Sequence, residues 1–179
     1  ETGLPAARLR ELALQQLEFL SGLADRAGVQ LGHVKAHGAL YNRLAVDDEA
    51  LHVFAGAAAD WRPGVRLFLP AGPRFVHMVN VLAGINVAPV AEAFADRRYL
   101  ADGRLAPRSL PGAVIASPAE AAGQALTIVR GEPVTTADGP PLVLRADTIC
   151  LHGDHPGSLT AARTVRTTLE SAGCAVQSL

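Results

Sequence analysis

The chain has 179 residues, of which 49% are hydrophobic, and its formal net charge at pH 7 is −1. This length and composition predict a globular protein with one sizeable hydrophobic core. The near-neutral charge offers no basic stripe for nucleic acid, and no apolar run approaches the roughly 18 residues that a membrane span requires. We therefore expect neither nucleic acid nor a membrane as a partner.

Helical spacing of apolar residues alternates with short apolar runs along the chain. The elements predicted for the first half are a helix from Pro5 to Gly28, a strand at 29–35, a loop at HGALYN (37–42), a helix at about 47–60, a strand at 65–70, a helix at 74–82 and a strand at 85–90. A long polar segment follows at 91–113. The elements predicted after it are a capped helix at 117–131, a hairpin or loop at 132–141, a strand within 146–154, a helix at 160–171 and a strand at 174–177.

This alternation predicts an α/β fold with a mostly parallel sheet or barrel. No linker or repeat marks an internal boundary, so residues 1–179 are predicted to form a single α/β domain. The two cysteines, Cys150 and Cys174, lack the close spacing of a metal-binding or redox pair. Buried free thiols in a reducing cytoplasm are the predicted state, although two cysteines also allow one disulfide.

Polar clusters follow three of the predicted strands: HVKAHGALYN (33–42), EAFADRRY (92–99) and LHGDHPG (151–157). Functional groups of parallel α/β folds collect at the carboxyl ends of the strands, where loops are able to vary. We therefore predict that the three loops meet at one edge and form a common pocket. Its candidate residues are Lys35, His37, Asp96, Arg97, His152 and Asp154.

Each of these residues also has an ordinary structural explanation. A lone Lys35 is compatible with a solvated strand tip, and a lone His37 with a hydrogen-bonded turn. Asp96 and Arg97 are compatible with a surface ion pair of little energetic value, and Asp154 with a helix cap. The segment 91–113 is longer than the about 12–15 residues that connections rarely exceed, which favours a substrate-covering loop.

Histidines and an arginine outside this set are predicted to have structural or surface roles. His33 is expected to pack or cap, and Arg98 to face solvent. The remaining histidines in this group are His52, His77 and His155.

A lysine, histidines, an arginine and carboxylates around one pocket suit an anionic substrate that undergoes acyl or phosphoryl chemistry. The sequence contains no GxSxG elbow, Walker loop or GxGxxG motif, so it has no recognisable binding motif for ATP or a dinucleotide. His37, His152 and Asp154 are candidate metal ligands, but their spacing is not diagnostic. Whether the chain binds a metal is left open.

Three segments, HVKAHGALYN, EAFADRRYLADGRLAPRSLPGAVI and ICLHGD, resemble signature segments of the LamB/YcsF family in sequence, order and spacing. Two departures are small: Ala36 replaces a usual proline, and Arg98 stands where a small residue is common. The resemblance implies a deformed (β/α) barrel of the glycoside hydrolase/deacetylase type. Family members begin with further segments that this chain lacks, and it opens with Glu1-Thr2-Gly3 rather than Met. We therefore expect a truncated or processed N-terminus and an incomplete barrel.

The resemblance also implies an activity, because this family supplies the A-type component of the bacterial 5-oxoprolinase complex. That complex opens the lactam of 5-oxoproline to glutamate at the expense of ATP, so ATP with Mg and other subunits are the expected cofactor and partners. From the pocket chemistry we predict catalytic roles for Lys35, His37, Asp96, His152 and Asp154. We predict substrate binding by Lys35, Tyr41, Asn42, Arg97 and Arg108.

Two other functions also fit the sequence. One is a metal-dependent amidase or deacetylase that acts alone, and the other is a truncated scaffold that binds without turnover. An incomplete barrel exposes strand edges and core side chains. We therefore expect this chain to be inactive alone and to associate, most simply with a second copy.

Overall fold

The computed structural model describes residues 3–177. Glu1 and Thr2, on which the expected truncation or processing of the N-terminus partly rests, lie outside this range. The helices are α1 (Ala6–Arg26), α2 (Gly38–Leu44), α3 (Asp48–Trp61), α4 (Phe75–Val81), α5 (Pro118–Val129) and α6 (Ser158–Ser171). The strands are β1 (His33–Lys35), β2 (Val65–Pro70), β3 (Val87–Phe94), β4 (Pro133–Val134), β5 (Leu142–Val143) and β6 (Thr148–Cys150).

The chain divides into two compact units. The first consists of Glu1–Leu69 and Arg74–Val90, and the second of Pro70–Pro73 and Ala91–Leu179. Within the described residues 3–177, no helix is both long and apolar enough to cross a membrane. The prediction of one single domain stays a prediction.

In the first unit, β1 and β2 pair in parallel, with Lys35 opposite Phe68. Helix α1 packs against α3. Helix α3 begins where the sequence predicts, because the Asp47 carboxylate accepts a hydrogen bond of 2.9 Å from the backbone N–H of Ala50. His33 packs as predicted, since its ring stacks on Phe68 with the centroids 4.2 Å apart.

Two predictions for the first unit are wrong in detail. Strand β1 is confined to His33–Lys35, because the backbone N–H of Val29 closes the end of α1 by bonding to Ala24. The stretch HGALYN is largely helical rather than a loop, and α2 buries Tyr41 and Leu44. Burial of these two side chains stabilises a helix of only seven residues, which its sequence alone would leave marginal.

In the second unit, β3 and β6 pair in parallel, with Phe94 opposite Cys150. A core cluster joins Ala95 to one face of α5 and to Val165 and Leu169 of α6. The predicted hairpin is the antiparallel pair β4–β5. Cys150 and Cys174 are half-buried rather than buried as predicted, and they form no disulfide with each other.

The long segment 91–113 is more ordered than a surface loop. Its first four residues extend β3 to Phe94, and the following stretch folds back so that the N–H of Arg98 bonds to the carbonyl of Ala113. Gly103 makes the turn at φ +87°, where a Cβ would lie 2.6 Å from Cδ of Pro73. Arg98 does not face solvent as predicted, because it is half-buried and paired with Glu120.

The strand predicted at 174–177 is absent, since this stretch has no regular secondary structure. The backbone N–H of Cys174 instead bonds to the carbonyl of Leu169 at 2.9 Å and closes the end of α6. Gly173, at φ +83°, permits this helix ending.

Candidate active site

The centre of the candidate site in the second unit is a hydrogen-bonded pair, Asp96 and His152. Asp96 lies two residues beyond the end of β3, and His152 two residues beyond the end of β6. One carboxylate oxygen of Asp96 accepts the backbone N–H of His152 at 2.8 Å, and the ring Nδ1 of His152 lies 3.0 Å from the same oxygen. Because β3 and β6 are parallel neighbours, both side chains leave the strands at the same end.

The environment of the pair favours an ionised carboxylate. Asp96 is only 2% exposed. Burial raises the pKa of Asp96, but hydrogen bonds from the ring and backbone of His152 outweigh it, so the pKa lies below the ordinary value of 3.8. An ionised Asp96 accepts the proton on Nδ1, which leaves the lone pair of the imidazole on Nε2.

The ring of His152 is held in place but stays accessible. It stacks on Phe94, with the ring centroids 5.3 Å apart and an angle of 22° between the planes. Its side chain is 26% exposed, whereas that of Asp96 is 3% exposed. A small molecule is therefore able to approach the imidazole while the carboxylate behind it is shielded from water.

The backbone that carries Asp96 is fixed by two buried side chains. The Tyr99 hydroxyl accepts the backbone N–H of Phe94 at 2.6 Å, and burial raises the pKa of Tyr99. The Gln124 amide, on α5, donates to the carbonyls of Phe94 and Arg97, each at 2.8 Å. Asp96 is therefore tethered on both of its sides in the chain.

Two arginines of the second unit, Arg97 and Arg108, interact electrostatically with the acidic residues of the site. Arg97 is buried, and its Nη2 donates to the carbonyl of Ala106 at 2.6 Å, whereas its Nε has no hydrogen-bond partner among residues 3–177. Burial lowers the pKa of Arg97, and so does the positive charge of Arg108, whereas Asp96 and Asp154 raise it. These groups therefore share one electrostatic environment.

Arg108 and Asp154 form an exposed ion pair, with Nη1 and Oδ2 separated by 3.1 Å. Slight desolvation raises the pKa of Asp154, but the hydrogen bond from Arg108 and its positive charge outweigh it, so the pKa lies below its ordinary value. Like the Asp96–His152 pair, this contact links the segment 91–113 to the segment 151–157. Asp154 does not cap a helix, since α6 begins at Ser158 after Gly157.

The remaining predicted site residues lie in the first unit. Lys35, the only lysine of the chain, ends β1, and its Nζ lies 5.5 Å from the ring centroid of the buried Tyr41. His37 precedes α2 without capping it through its side chain, and Asn42 is exposed on α2. Lys35 and His37 line a cavity of about 780 Å³ whose other walls include leucines of α1.

The structure thus brings together the predicted residues of the second unit: Asp96, Arg97, Arg108, His152 and Asp154. Lys35, His37 and Tyr41 form a separate group in the first unit, and a common cleft for both groups stays a prediction. Among residues 3–177, no three His, Cys, Asp or Glu side chains are grouped closely enough to hold a metal ion.

Sequence reasoning missed Gln124. The side chain occupies a buried face of α5 whose other members are Ala121, Ala122, Ala125 and Ile128. A single amide among alanines on a buried helical face was the available signal, because such an amide requires hydrogen-bond partners.

A buried aspartate that hydrogen-bonds to a partly exposed histidine at the ends of parallel strands is an arrangement suited to proton transfer in an α/β protein. The chain belongs to the LamB/YcsF family, whose model matches residues 2–179. It also has the fold of a lactam utilization protein from Thermus thermophilus, with a TM-score of 0.86, 37% identity and coverage of 99% of this chain and 69% of that one. The predicted family and fold class are both confirmed.

Curated relatives are similar to this chain over most of its length. The chain is 44% identical over 168 residues to the A-type 5-oxoprolinase subunit of Syntrophobacter fumaroxidans, covering 94% of this chain and 65% of that protein. It is 42% identical over 177 residues to the A-type 5-oxoprolinase subunit of Heliobacterium modesticaldum, covering 99% of this chain and 68% of that protein. The chain thus spans about two thirds of the length of these relatives.

Proposed function

We propose that this chain acts as the A-type component of a 5-oxoprolinase, a hydrolase that opens the cyclic amide of 5-oxoproline to glutamate together with partner subunits. The relatives' names supply the substrate class, and the Asp96–His152 pair is the observation that carries the chemistry. Its geometry suits amide hydrolysis, which requires one proton to leave water and one proton to reach the departing nitrogen.

In the proposed reaction, Nε2 of His152 takes a proton from water while the water oxygen bonds to the lactam carbonyl carbon. The carbon–nitrogen bond of the ring then breaks, and the imidazolium returns its proton to the leaving nitrogen. Asp96 stays ionised throughout and stabilises the imidazolium between the two steps, as the aspartate of a catalytic triad does. The products are a carboxylate and an amine on one chain, which is glutamate.

Substrate binding is proposed for Arg97 and Arg108. 5-Oxoproline carries one carboxylate, and the buried Nε of Arg97 is a donor without a partner among the described residues. A carboxylate oxygen would satisfy this donor, which otherwise costs about 1–3 kcal/mol in desolvation. Arg108 is the second candidate, because its partner Asp154 is exposed and replaceable by a ligand carboxylate.

ATP with Mg is the proposed energy source, since opening an unstrained lactam by water is slow and, for 5-oxoproline, uphill. The chain contains no glycine-rich phosphate loop. We therefore assign none of its residues to ATP, and propose that the nucleotide binds through the assembled complex. A cytoplasmic location, where ATP is present, belongs to the same proposal.

Replacing His152 in the assembled complex tests this function. We expect His152→Gln to lower kcat by about 10² to 10⁴, the range that a positioned acid or base contributes. His155→Gln is the matched control in the same segment, because the His155 ring accepts the N–H of Gly157 within its own loop. Near-normal turnover by His152→Gln would rule out the proposed proton transfer.

A further inference from the structure

We propose that Gln124 is a positioning residue that sets the location of Asp96 and, through Asp96, the orientation of the His152 ring. The inference concerns how the pair is built, and it rests on the proposed function only for its effect on turnover. Gln124 lies on α5, remote in sequence from both residues, and the other buried residues of this helix are apolar.

The hydrogen bonds of Gln124 converge on the end of β3. Its Nε2 lies 2.8 Å from the carbonyl oxygen of Phe94, 3.2 Å from that of Ala95 and 2.8 Å from that of Arg97. An amide NH₂ has two hydrogens, so three carbonyls share two donors in this arrangement. The chain turns out of the strand here, and one side chain satisfies the carbonyls that this turn directs into the core.

The orientation of the amide is defined by a fourth contact. Its Oε1 accepts a hydrogen bond of 3.2 Å from Nη1 of Arg98. With a cationic donor on one side and three carbonyls on the other, only one of the two amide orientations is satisfied. Gln124 is 6% exposed, so water is a poor substitute for these contacts.

Asp96 stands between the two bonded neighbours, Ala95 and Arg97. Gln124 holds the peptide group before Asp96 and the one after Arg97, and the carbonyl of Asp96 itself accepts the N–H of Ile115 at 2.9 Å. Together these bonds fix the Cα of Asp96 and the direction in which its carboxylate leaves the backbone. That carboxylate meets both the N–H and the ring Nδ1 of His152, at 2.8 and 3.0 Å. A small shift of the Asp96 backbone would weaken the hydrogen bonds to the N–H and to the ring of His152 at the same time.

The alternative is that Gln124 only satisfies buried carbonyls and contributes to stability alone. The two explanations differ in what happens to His152 when Gln124 is replaced in a chain that still folds. Under our proposal the Nδ1–H···carboxylate contact is lost or lengthened, and under the alternative it stays as it is.

The experiment uses the full chain and nuclear magnetic resonance of ¹⁵N- and ¹³C-labelled protein. The first variant is Gln124→Met, which keeps the length of the side chain and removes both donors. We expect the downfield Nδ1 proton of His152 to be lost, and the pKa of the Asp96 carboxyl to rise from its lowered position. Ile128→Val is the matched control, because it removes one buried methylene from the same helix without removing a hydrogen bond. This variant should keep the His152 proton signal and the lowered pKa of Asp96.

A second variant covers the case in which Gln124→Met does not fold. Gln124→Glu keeps the shape of the side chain, and the introduced carboxyl group donates to a carbonyl only in its neutral form. We expect the His152 signal to be present at acidic pH, where this carboxyl group is neutral, and to disappear as the group ionises. A role in packing alone would not produce this pH dependence.

The outcomes separate this proposal from the proposed function. An unchanged His152 signal in folded Gln124→Met, or a signal in Gln124→Glu that does not follow the ionisation of the introduced carboxyl group, overturns the positioning role. If the signal is lost, kcat in the assembled complex should fall by about 10- to 100-fold, the range seen when supporting residues of an active site are removed. Loss of the signal with normal turnover would support the positioning role and refute the catalytic role of the pair.

Discussion

The two units hold their predicted site residues in different ways. In the first unit, Lys35 is half-buried beside the ring of Tyr41, and His37 is exposed. In the second unit, the buried Asp96 accepts two hydrogen bonds from His152, and Gln124 anchors the backbone around it. A buried carboxylate requires such partners because desolvation alone would neutralise it. The second unit therefore has a pre-organised site, whereas the first unit presents a cation beside a cavity.

For the first unit, the largest effect on turnover is expected for Lys35→Ala in the assembled complex. We expect turnover of 5-oxoproline to fall by about 10² to 10³, the range for loss of one preorganised group that stabilises developing charge. Stability should change far less than turnover, by at most about 1 kcal/mol, because a lysine at the end of a strand contributes charge rather than core packing. Steady-state kinetics and urea unfolding measure the two quantities.

Two further variants sharpen this test. Lys35→Arg keeps the positive charge and should recover part of the turnover, though not all, since a guanidinium differs in shape from an ammonium group. Arg66→Ala, on the neighbouring strand β2, removes an exposed cation from the same unit and should leave turnover unchanged. Normal turnover of Lys35→Ala would restrict the catalytic residues to those of the second unit.

A smaller but clear effect is expected for Tyr99→Phe, which tests the rigidity of the second unit. The variant removes the hydroxyl oxygen that accepts the N–H of Phe94 at 2.6 Å, so this buried hydrogen bond is lost. The expected loss in unfolding free energy is about 1–3 kcal/mol. A urea unfolding curve identical to that of the wild type would mean that the Tyr99 hydroxyl does not support the end of β3.

The fold could be predicted where local sequence determined the element. Strand β2 and the cap of α3 by Asp47 are examples, because a bounded apolar run and a capping carboxylate are sufficient signals. The helix in HGALYN could not be predicted in this way. It depends on burial of Tyr41 and Leu44, which only tertiary structure supplies.

The candidate site shows the same division. Asp96 and His152 could be predicted because polar residues after buried strands mark the functional edge of an α/β fold. Gln124 could not be assigned a role, since its partners are backbone carbonyls about thirty positions away in the chain. Backbone carbonyls have no residue type, so a sequence contains no direct signal for such a contact.

The pH dependence of stability compares one carboxylate from each unit. The pKa of Asp96 is lowered, so its ionised form stabilises the folded state above the ordinary value of 3.8, and this contribution is lost as pH falls through the lowered pKa. The difference in unfolding free energy between wild type and Asp96→Asn should therefore be constant near neutral pH and shrink below about pH 4.

Asp47 is the counterpart in the first unit. A backbone hydrogen bond from Ala50 lowers its pKa, followed by the contribution of Arg43, so the sign of the pH dependence is the same. Its side chain is 33% exposed, and Asn is an equally good helix cap, so the difference between wild type and Asp47→Asn should be smaller at every pH. A larger pH-dependent difference for Asp47→Asn than for Asp96→Asn would contradict the assignment of the pre-organised carboxylate to the second unit.

The smallest effect on stability is expected for Arg108→Ala. The Arg108 and Asp154 side chains are 52% and 58% exposed, so screening and side-chain entropy offset their attraction. We expect the urea midpoint to stay at the wild-type value, while KM for 5-oxoproline rises because a cation available to the substrate carboxylate is lost. Arg104→Ala, which removes an exposed arginine paired with Asp102 in the same segment, should leave both quantities unchanged. If Arg108→Ala lowered the midpoint as much as Tyr99→Phe does, the contact between Arg108 and Asp154 would belong to the rigid part of the second unit rather than to its substrate-binding surface.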